Sequence, residues 1–154
     1  MAAIIQIHNL KKVYPVGKER IVALNNITFD IEQGEICCIL GTSGSGKSTL
    51  LNQLAGLEKP TKGSVTIGKT NISVLSENKL ARFRQKYIGF VFQSYNLLPA
   101  YTALENVAMP LMFRGISKGK RNKKAAQLLK LVGLEKRMYH KPTQMSGGQQ
   151  QRVA

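Results

Sequence analysis

Acid is what this sequence has least of. Its 154 residues carry 23 Lys+Arg against 8 Asp+Glu, a formal net charge of +15, and Asp30 is the only aspartate. The imbalance grows along the chain: 12 basic against 6 acidic residues up to position 100, then 11 against 2. A charge of this size suits a nucleic acid or an anionic membrane. The densest run, Lys118 to Lys124, has no interleaved aromatic to stack on bases. It reads as a solvated basic face, and no nucleic-acid partner is expected.

Cysteine is almost as scarce. Cys37 and Cys38 are neighbours, so on a strand they point to opposite sides and cannot bridge. With no metal-site spacing around them, they read as small buried apolar side chains of a reducing compartment. No leader is expected, because Gln6 and His8 interrupt the apolar residues after MAAII and no cleavage pattern follows. The longest uncharged stretch, Tyr87 to Leu104, contains Gln93, Ser94, Asn96 and Pro99, groups that lipid would leave unsatisfied. No span is expected there. The chain is expected to be soluble and cytoplasmic. Repeats and low-complexity tracts are missing too, which leaves a chain the size of one ordinary domain.

What is present organises well. Ile4 to His8 is a strand running into a basic turn at Lys11-Lys12, and Ile27, Phe29 and Ile31 alternate with Thr28 and Asp30 along a half-buried strand over 21–31. Ile36 to Leu40 is continuously apolar, the pattern of a parallel strand covered on both faces. A helix follows over 47–54 and ends near Gly56. Gly63 to Ile67 is a short strand, Ser76 caps a helix through about Arg84, and Ile88, Phe90 and Phe92 alternate on a further strand. Thr102 and Glu105 form a capping box that opens a helix with Leu104, Val107, Ala108 and Leu111 on one face, and Pro110 should kink or end it early. Ala125, Leu128, Leu129 and Val132 repeat that spacing in a second helix stopping near Gly133. Strands fill the first hundred residues and helices the rest, an α/β core followed by a helical insert.

Directly after the apolar run stands GTSGSGKST, residues 41–49: Gly41, Thr42, Ser43, Gly44, Ser45, Gly46, Lys47, Ser48 and Thr49. Glycine costs backbone entropy wherever it is ordered, so three in six residues need a reason. The spacing Gly41-x-x-x-x-Gly46-Lys47-Ser48 is the P-loop pattern. Its glycines aim backbone N–H groups inward and, with the positive end of the following helix, cradle β- and γ-phosphates. Lys47 supplies a point charge, and the Ser48 hydroxyl serves as a ligand for Mg²⁺ bridging the phosphates. Four fixed positions match by chance in roughly one such chain in 200 at average composition, and both the strand before and the helix after fit.

The order Tyr14, GTSGSGKST, Gln93 in FVFQ and MSGGQQQRVA resembles the nucleotide-binding domain of ATP-binding-cassette (ABC) proteins. YPVGKERIVALNN and LARFRQKYIGFVFQSYNLLPAYTALENVAMPL look most like the branch serving lipoprotein-releasing and macrolide-exporter-type transporters. The resemblance implies a P-loop NTPase core with an antiparallel β subdomain and a helical insert. Its divisions are 1–93 for the core, 94–145 for the helical subdomain and 146–154 for the signature motif and the start of its helix. It implies ATP and Mg²⁺ as cofactors, a transmembrane permease as partner, a second copy of the domain to dimerise with, and a position on the inner face of the cell membrane. Tyr14 would stack on adenine. Gln93 would position metal and attacking water. Residues 94–114 would grip the permease, and Ser146, Gly147, Gly148 and Gln149 would close on ATP held by the opposite copy. Ser146 and Gln149 also match a plain helix-capping box, but two glycines in a first turn are poor helix formers, which favours close approach by a backbone or phosphate. Met145 replaces the usual leucine, a volume-conserving change.

The same resemblance calls for an aspartate ending an apolar strand, an adjacent glutamate and a later histidine. Of the acids after the loop, Glu58, Glu77, Glu105 and Glu135, none follows a four-residue apolar strand, and His140 sits in a basic loop. A general base is therefore absent. The chain is expected to be an N-terminal portion of a longer cassette with an incomplete sheet, binding MgATP and hydrolysing it negligibly. The alternatives are a non-hydrolytic nucleotide-binding remnant or regulator, and an ABC-type ATPase of another process such as cell division or nucleic-acid processing.

Overall fold

The structure, a computed structural model, describes residues 3–154. The described residues divide into two compact units, one ending at Phe90 and the other running Val91–Ala154.

The first unit is built on two long strands, β1 (Ala3–Val16) and β2 (Glu19–Glu32), joined by a tight hairpin at Gly17 and Lys18. Strand β3 (Lys62–Ile67) pairs with the other edge of β1, and the two-residue β4 (Thr70–Asn71) completes an antiparallel sheet of order β2-β1-β3-β4. The basic turn expected at Lys11-Lys12 is not formed. Strand β1 absorbs an irregularity near Asn9, whose φ is 46°, and continues to Val16. A bulge lets a strand bend without ending. Gly63 lies opposite it, and a Cβ there would meet the Asn9 and His8 carbonyls at 2.3 and 2.4 Å.

On β2 the expected alternation holds, with Ile27, Phe29 and Ile31 partly buried and Thr28 and Asp30 exposed. The apolar face of the sheet packs on α1 (Lys47–Leu54) and α2 (Glu77–Tyr87). Ile7, Leu10, Leu24, Leu50, Val65, Ile72 and Leu80 form its core. Ser76 stands at the N-cap of α2, but its side chain makes no capping bond, and the helix runs to Tyr87.

Two expected strands are missing. Residues 36–40 and 88–92 have no regular structure, and Ile36 and Leu40 are 90% and 91% exposed. A strand exists only through its ladder, and the ladders of the described sheet run among β1, β2, β3 and β4 and include neither segment. For the same reason Cys37 and Cys38 are exposed thiols rather than buried side chains. The sheet is thus antiparallel at its N-terminal part and open where a parallel part was expected.

The core of this unit contains one polar misfit. Gln53 on α1 is 1% exposed, and neither its Oε1 nor its Nε2 has a hydrogen-bond partner. Leaving a buried amide unmatched costs about 1–3 kcal/mol. Gln53→Met keeps the length and removes the polar atoms, so a gain in stability of about 1–2 kcal/mol is expected. A raised urea midpoint at unchanged slope will show it.

The second unit is helical: α3 (Ala103–Phe113), α4 (Lys118–Leu131) and α5 (Gly147–Val153). The Thr102–Glu105 capping box forms as expected, with Glu105 N–H donating to the Thr102 hydroxyl and the Glu105 carboxylate accepting from the Thr102 N–H. Pro110 does not end the helix, which continues three residues to Phe113. Its missing N–H costs one ladder bond late in the element, and Gly115 then terminates the run at φ 73°.

Ala103, Leu104, Ala108, Ala125, Leu129, Leu134, Met145 and Val153 form the second core. Leu128 and Val132, expected on the buried face of α4, are instead 45% and 39% exposed. Spacing places them beside Ala125 and Leu129, but no element covers that shoulder of the helix. The basic run of α4 is exposed at Lys118, Lys120, Lys123 and Lys124. No helix among the described residues is long and apolar enough to cross a membrane.

Candidate functional site

Residues 41–46 connect segment 36–40 to α1, which opens with Lys47, Ser48 and Thr49. Gly44 and Gly46 have φ of 81° and 91°, the left-handed region that glycine enters without penalty. Gly46 is the N-cap of α1, and a Cβ on it would stand 2.4 Å from the Ala23 carbonyl of β2. No side chain caps this helix, and its first turn holds no acid. Its leading N–H groups and positive end are left for an external anion.

Lys47 folds back over the loop. Its Nζ donates to the carbonyls of Gly41 at 2.8 Å and Thr42 at 2.6 Å, and to Ser45 Oγ at 3.3 Å. The ammonium therefore sits inside the loop with all three donors engaged by exposed oxygens, which anionic oxygens of a ligand can replace. Ser48 is exposed on the first turn of α1. No group of three or more His, Cys, Asp or Glu side chains able to hold a metal occurs among the described residues. A divalent cation here would take the Ser48 hydroxyl together with ligand phosphate oxygens and water, a mode that suits Mg²⁺.

Tyr14 lies in the same unit, near the end of β1. Its Oη donates to Glu58 Oε2 at 2.6 Å and is hydrogen-bonded by the Thr49 side chain. Glu58 also receives Asn52 Nδ2 at 3.1 Å on Oε1 and pairs with Lys12 Nζ at 3.2 Å. The Lys12 ammonium lies 5.0 Å from the centre of the Tyr14 ring. Burial, and next the Glu58 hydrogen bond, push the Tyr14 phenol above its ordinary value against an opposing bond from Thr49. Burial pushes the Glu58 carboxyl up, but hydrogen bonds from Tyr14, Lys12 and Asn52 outweigh it and hold the group low. A depressed carboxyl stabilises the fold fully above its ordinary pKa. That contribution is lost as pH falls through the lowered value.

Gln93 and Ser146 to Gln149 belong to the second unit. Gln93 is exposed in a segment without regular structure. Ser146 is the N-cap of α5: its Oγ accepts from Gln149 N–H at 3.3 Å, and its N–H donates to Gln149 Oε1 at 3.0 Å. Gly147 and Gly148 are exposed. A Cβ on Gly147 would come 3.1 Å from the Tyr95 hydroxyl, while Gly148 faces open space. Met145 is buried in the second core.

Several residues that shape these sites were not singled out from sequence. Asn52 carries no sequence signal of its own, Lys12 reads from sequence only as part of a basic turn, and Glu58 only as an acid that follows no apolar strand. Asn106 pins the loop before α3, its Nδ2 donating to the carbonyls of Leu98, Tyr101 and Thr102 and its Oδ1 accepting from Leu98 N–H. An asparagine inside a helix, where it is a poor former, was the available signal.

Comparison with known proteins identifies the family. The model of the ABC transporter family matches residues 24–154. The lipoprotein-releasing system ATP-binding protein LolD of Alcanivorax borkumensis is 45% identical over 151 residues, 98% of this chain and 66% of that protein. The macrolide export ATP-binding/permease protein MacB of Burkholderia pseudomallei is 44% identical over 151 residues, 98% of this chain and 23% of that protein. Among solved structures, the ATP-binding cassette MJ0796 of Methanocaldococcus jannaschii, a dimer in a post-hydrolysis state with ADP and Pi, superposes with a TM-score of 0.89 at 46% identity. That match covers 97% of this chain and 66% of that one. The chain thus spans about 66% of the length of LolD and of MJ0796. With most of its length matched by the family model and its fold superposing on a solved cassette, the chain belongs to the ABC transporter family.

Proposed function

We propose that this chain carries the phosphate-binding side of an ATP-binding cassette and binds MgATP through residues 41–49. The observation that carries the reading is Lys47, held inside a glycine loop at the uncapped start of α1. Loop N–H groups and Lys47 take the β- and γ-phosphates, Ser48 takes Mg²⁺, and Tyr14 takes the adenine ring. Relatives named as lipoprotein-releasing and macrolide-export ATP-binding proteins support a role driving a membrane permease.

In that role residues 1–93 form the nucleotide core and 94–145 the helical subdomain, with the cassette at the cytoplasmic face of the membrane. Residues 94–114 hold the permease, for which exposed Leu98, Tyr101, Met112 and Phe113 supply apolar surface. Gln93 positions metal and water, and Ser146 to Gln149 in residues 146–154 meet ATP on a second copy. A dimeric relative with ADP and Pi supports the pairing. Segments 36–40 and 88–92 are where further strands of a complete cassette would pair.

Hydrolysis by this chain alone is expected to be negligible, since no acid among the described residues follows an apolar strand as a base for water would. Phosphate release from MgATP should not exceed that of the Lys47→Ala variant. Turnover well above that variant would contradict the assignment. Photocrosslinkers in 94–114 that capture no membrane subunit in cells would favour a cassette of a non-transport process.

A further inference from the structure

The network around Glu58 joins two parts of the site that sequence motifs treat separately. Tyr14 belongs to β1, whereas Thr49 and Asn52 belong to α1, the helix that begins with Lys47 and Ser48. Glu58 lies beyond α1 and accepts from both sides: Tyr14 Oη and Lys12 Nζ on Oε2, Asn52 Nδ2 on Oε1. Lys12 is fixed in turn by the Lys59 carbonyl at 2.8 Å and stands over the Tyr14 ring. A phenol ring on a strand turns about two side-chain torsions. Here its hydroxyl is anchored to a carboxylate and one face is taken by an ammonium.

We infer that Glu58 is a positioning residue for nucleotide binding, locking the Tyr14 ring to the phosphate-binding helix so that purine base and triphosphate are received by one rigid body. The inference rests on the proposed role of Tyr14 as the base platform. Because the Lys12 ammonium covers one face of the ring, the base is received on the other. The carboxylate accepts three hydrogen bonds from charged or polar donors, and charge-assisted bonds of this kind resist reorientation. Loss of Glu58 frees the ring, so the base must immobilise it on binding, at a cost in affinity. The phosphate contacts of residues 41–49 are untouched by that change.

The test measures dissociation constants of MgATP and of magnesium tripolyphosphate, which lacks a base, for the full chain and its variants. Glu58→Ala is expected to weaken MgATP about five- to tenfold and leave tripolyphosphate within about twofold. Glu58→Gln, whose amide oxygen still accepts the phenol proton, should recover most of the loss. Tyr14→Phe, which keeps the ring and removes the anchor, should repeat the Glu58→Ala pattern even if that variant fails to fold. Wild-type MgATP affinity in Tyr14→Phe or in folded Glu58→Ala would overturn the inference. So would an equal loss for both ligands, which would mark a structural role. Tyr14→Ala separates the underlying reading: if it too binds MgATP normally, Tyr14 is no base platform and that assignment falls first.

Discussion

Lys47→Ala is expected to weaken MgATP binding by about 1.5–3 kcal/mol, or roughly 10- to 150-fold, the range for hydrogen bonds to charged groups. The expectation follows from where the ammonium sits. Lys47 Nζ is held inside the loop by the Gly41 and Thr42 carbonyls and Ser45 Oγ. A triphosphate offers the same donors several anionic oxygens of opposite charge in place of neutral carbonyl and hydroxyl oxygens. Thermal stability should change little, because the residues Lys47 touches are exposed and their oxygens can turn to water. Affinity and stability thus separate in this variant. Equal MgATP binding by wild type and Lys47→Ala, measured calorimetrically, would remove Lys47 from the site.

Gly46→Ala should do the opposite and damage both. The residue adopts φ 91°, and its Cβ would lie 2.4 Å from the Ala23 carbonyl and 3.2 Å from Leu24 Cδ2. Backbone on β2 cannot swing away as a flexible side chain can, so either the loop lifts from the sheet or the strand shifts. Left-handed strain and the collision together should cost about 2–4 kcal/mol. MgATP affinity falls with it, because the displaced glycine is the residue that starts α1. Gly44→Ala is the control: φ is similar at 81°, but nothing lies within 4 Å of the added Cβ. Its cost should be about 1 kcal/mol, from the backbone alone. Urea denaturation of the pair measures the difference, and equal losses would mean that the approach of Ala23 is immaterial.

Local chemistry was legible in the sequence wherever a few neighbouring residues decide the outcome. The capping boxes at Thr102 and Ser146 form with the partners their spacing requires. The half-buried alternation of 27–31 likewise appears on β2, because side-chain period alone sets it. The turn expected at Lys11-Lys12 and the Ser76 cap failed locally, and the larger misses depend on partners distant in the chain. Ile36 to Leu40 has the composition of a buried strand, yet composition cannot supply the strand beside it, and Ile36 and Leu40 stand in solvent. Leu128 and Val132 have the spacing of a buried face, but coverage is a property of the neighbouring element. The role of Glu58 was hidden for a related reason. Its three partners come from positions 12, 14 and 52, and no local pattern announces a carboxylate shared by a strand and a helix.

Titrating the chain with MgATP, MgADP and AMP tests the central claim most directly. A loop that grips β- and γ-phosphates should bind MgATP and MgADP saturably and AMP at least about tenfold more weakly, since AMP brings only the α-phosphate. AMP binding as tightly as MgATP, or no saturable binding of any of the three, would contradict the assignment of residues 41–49 as the phosphate cradle.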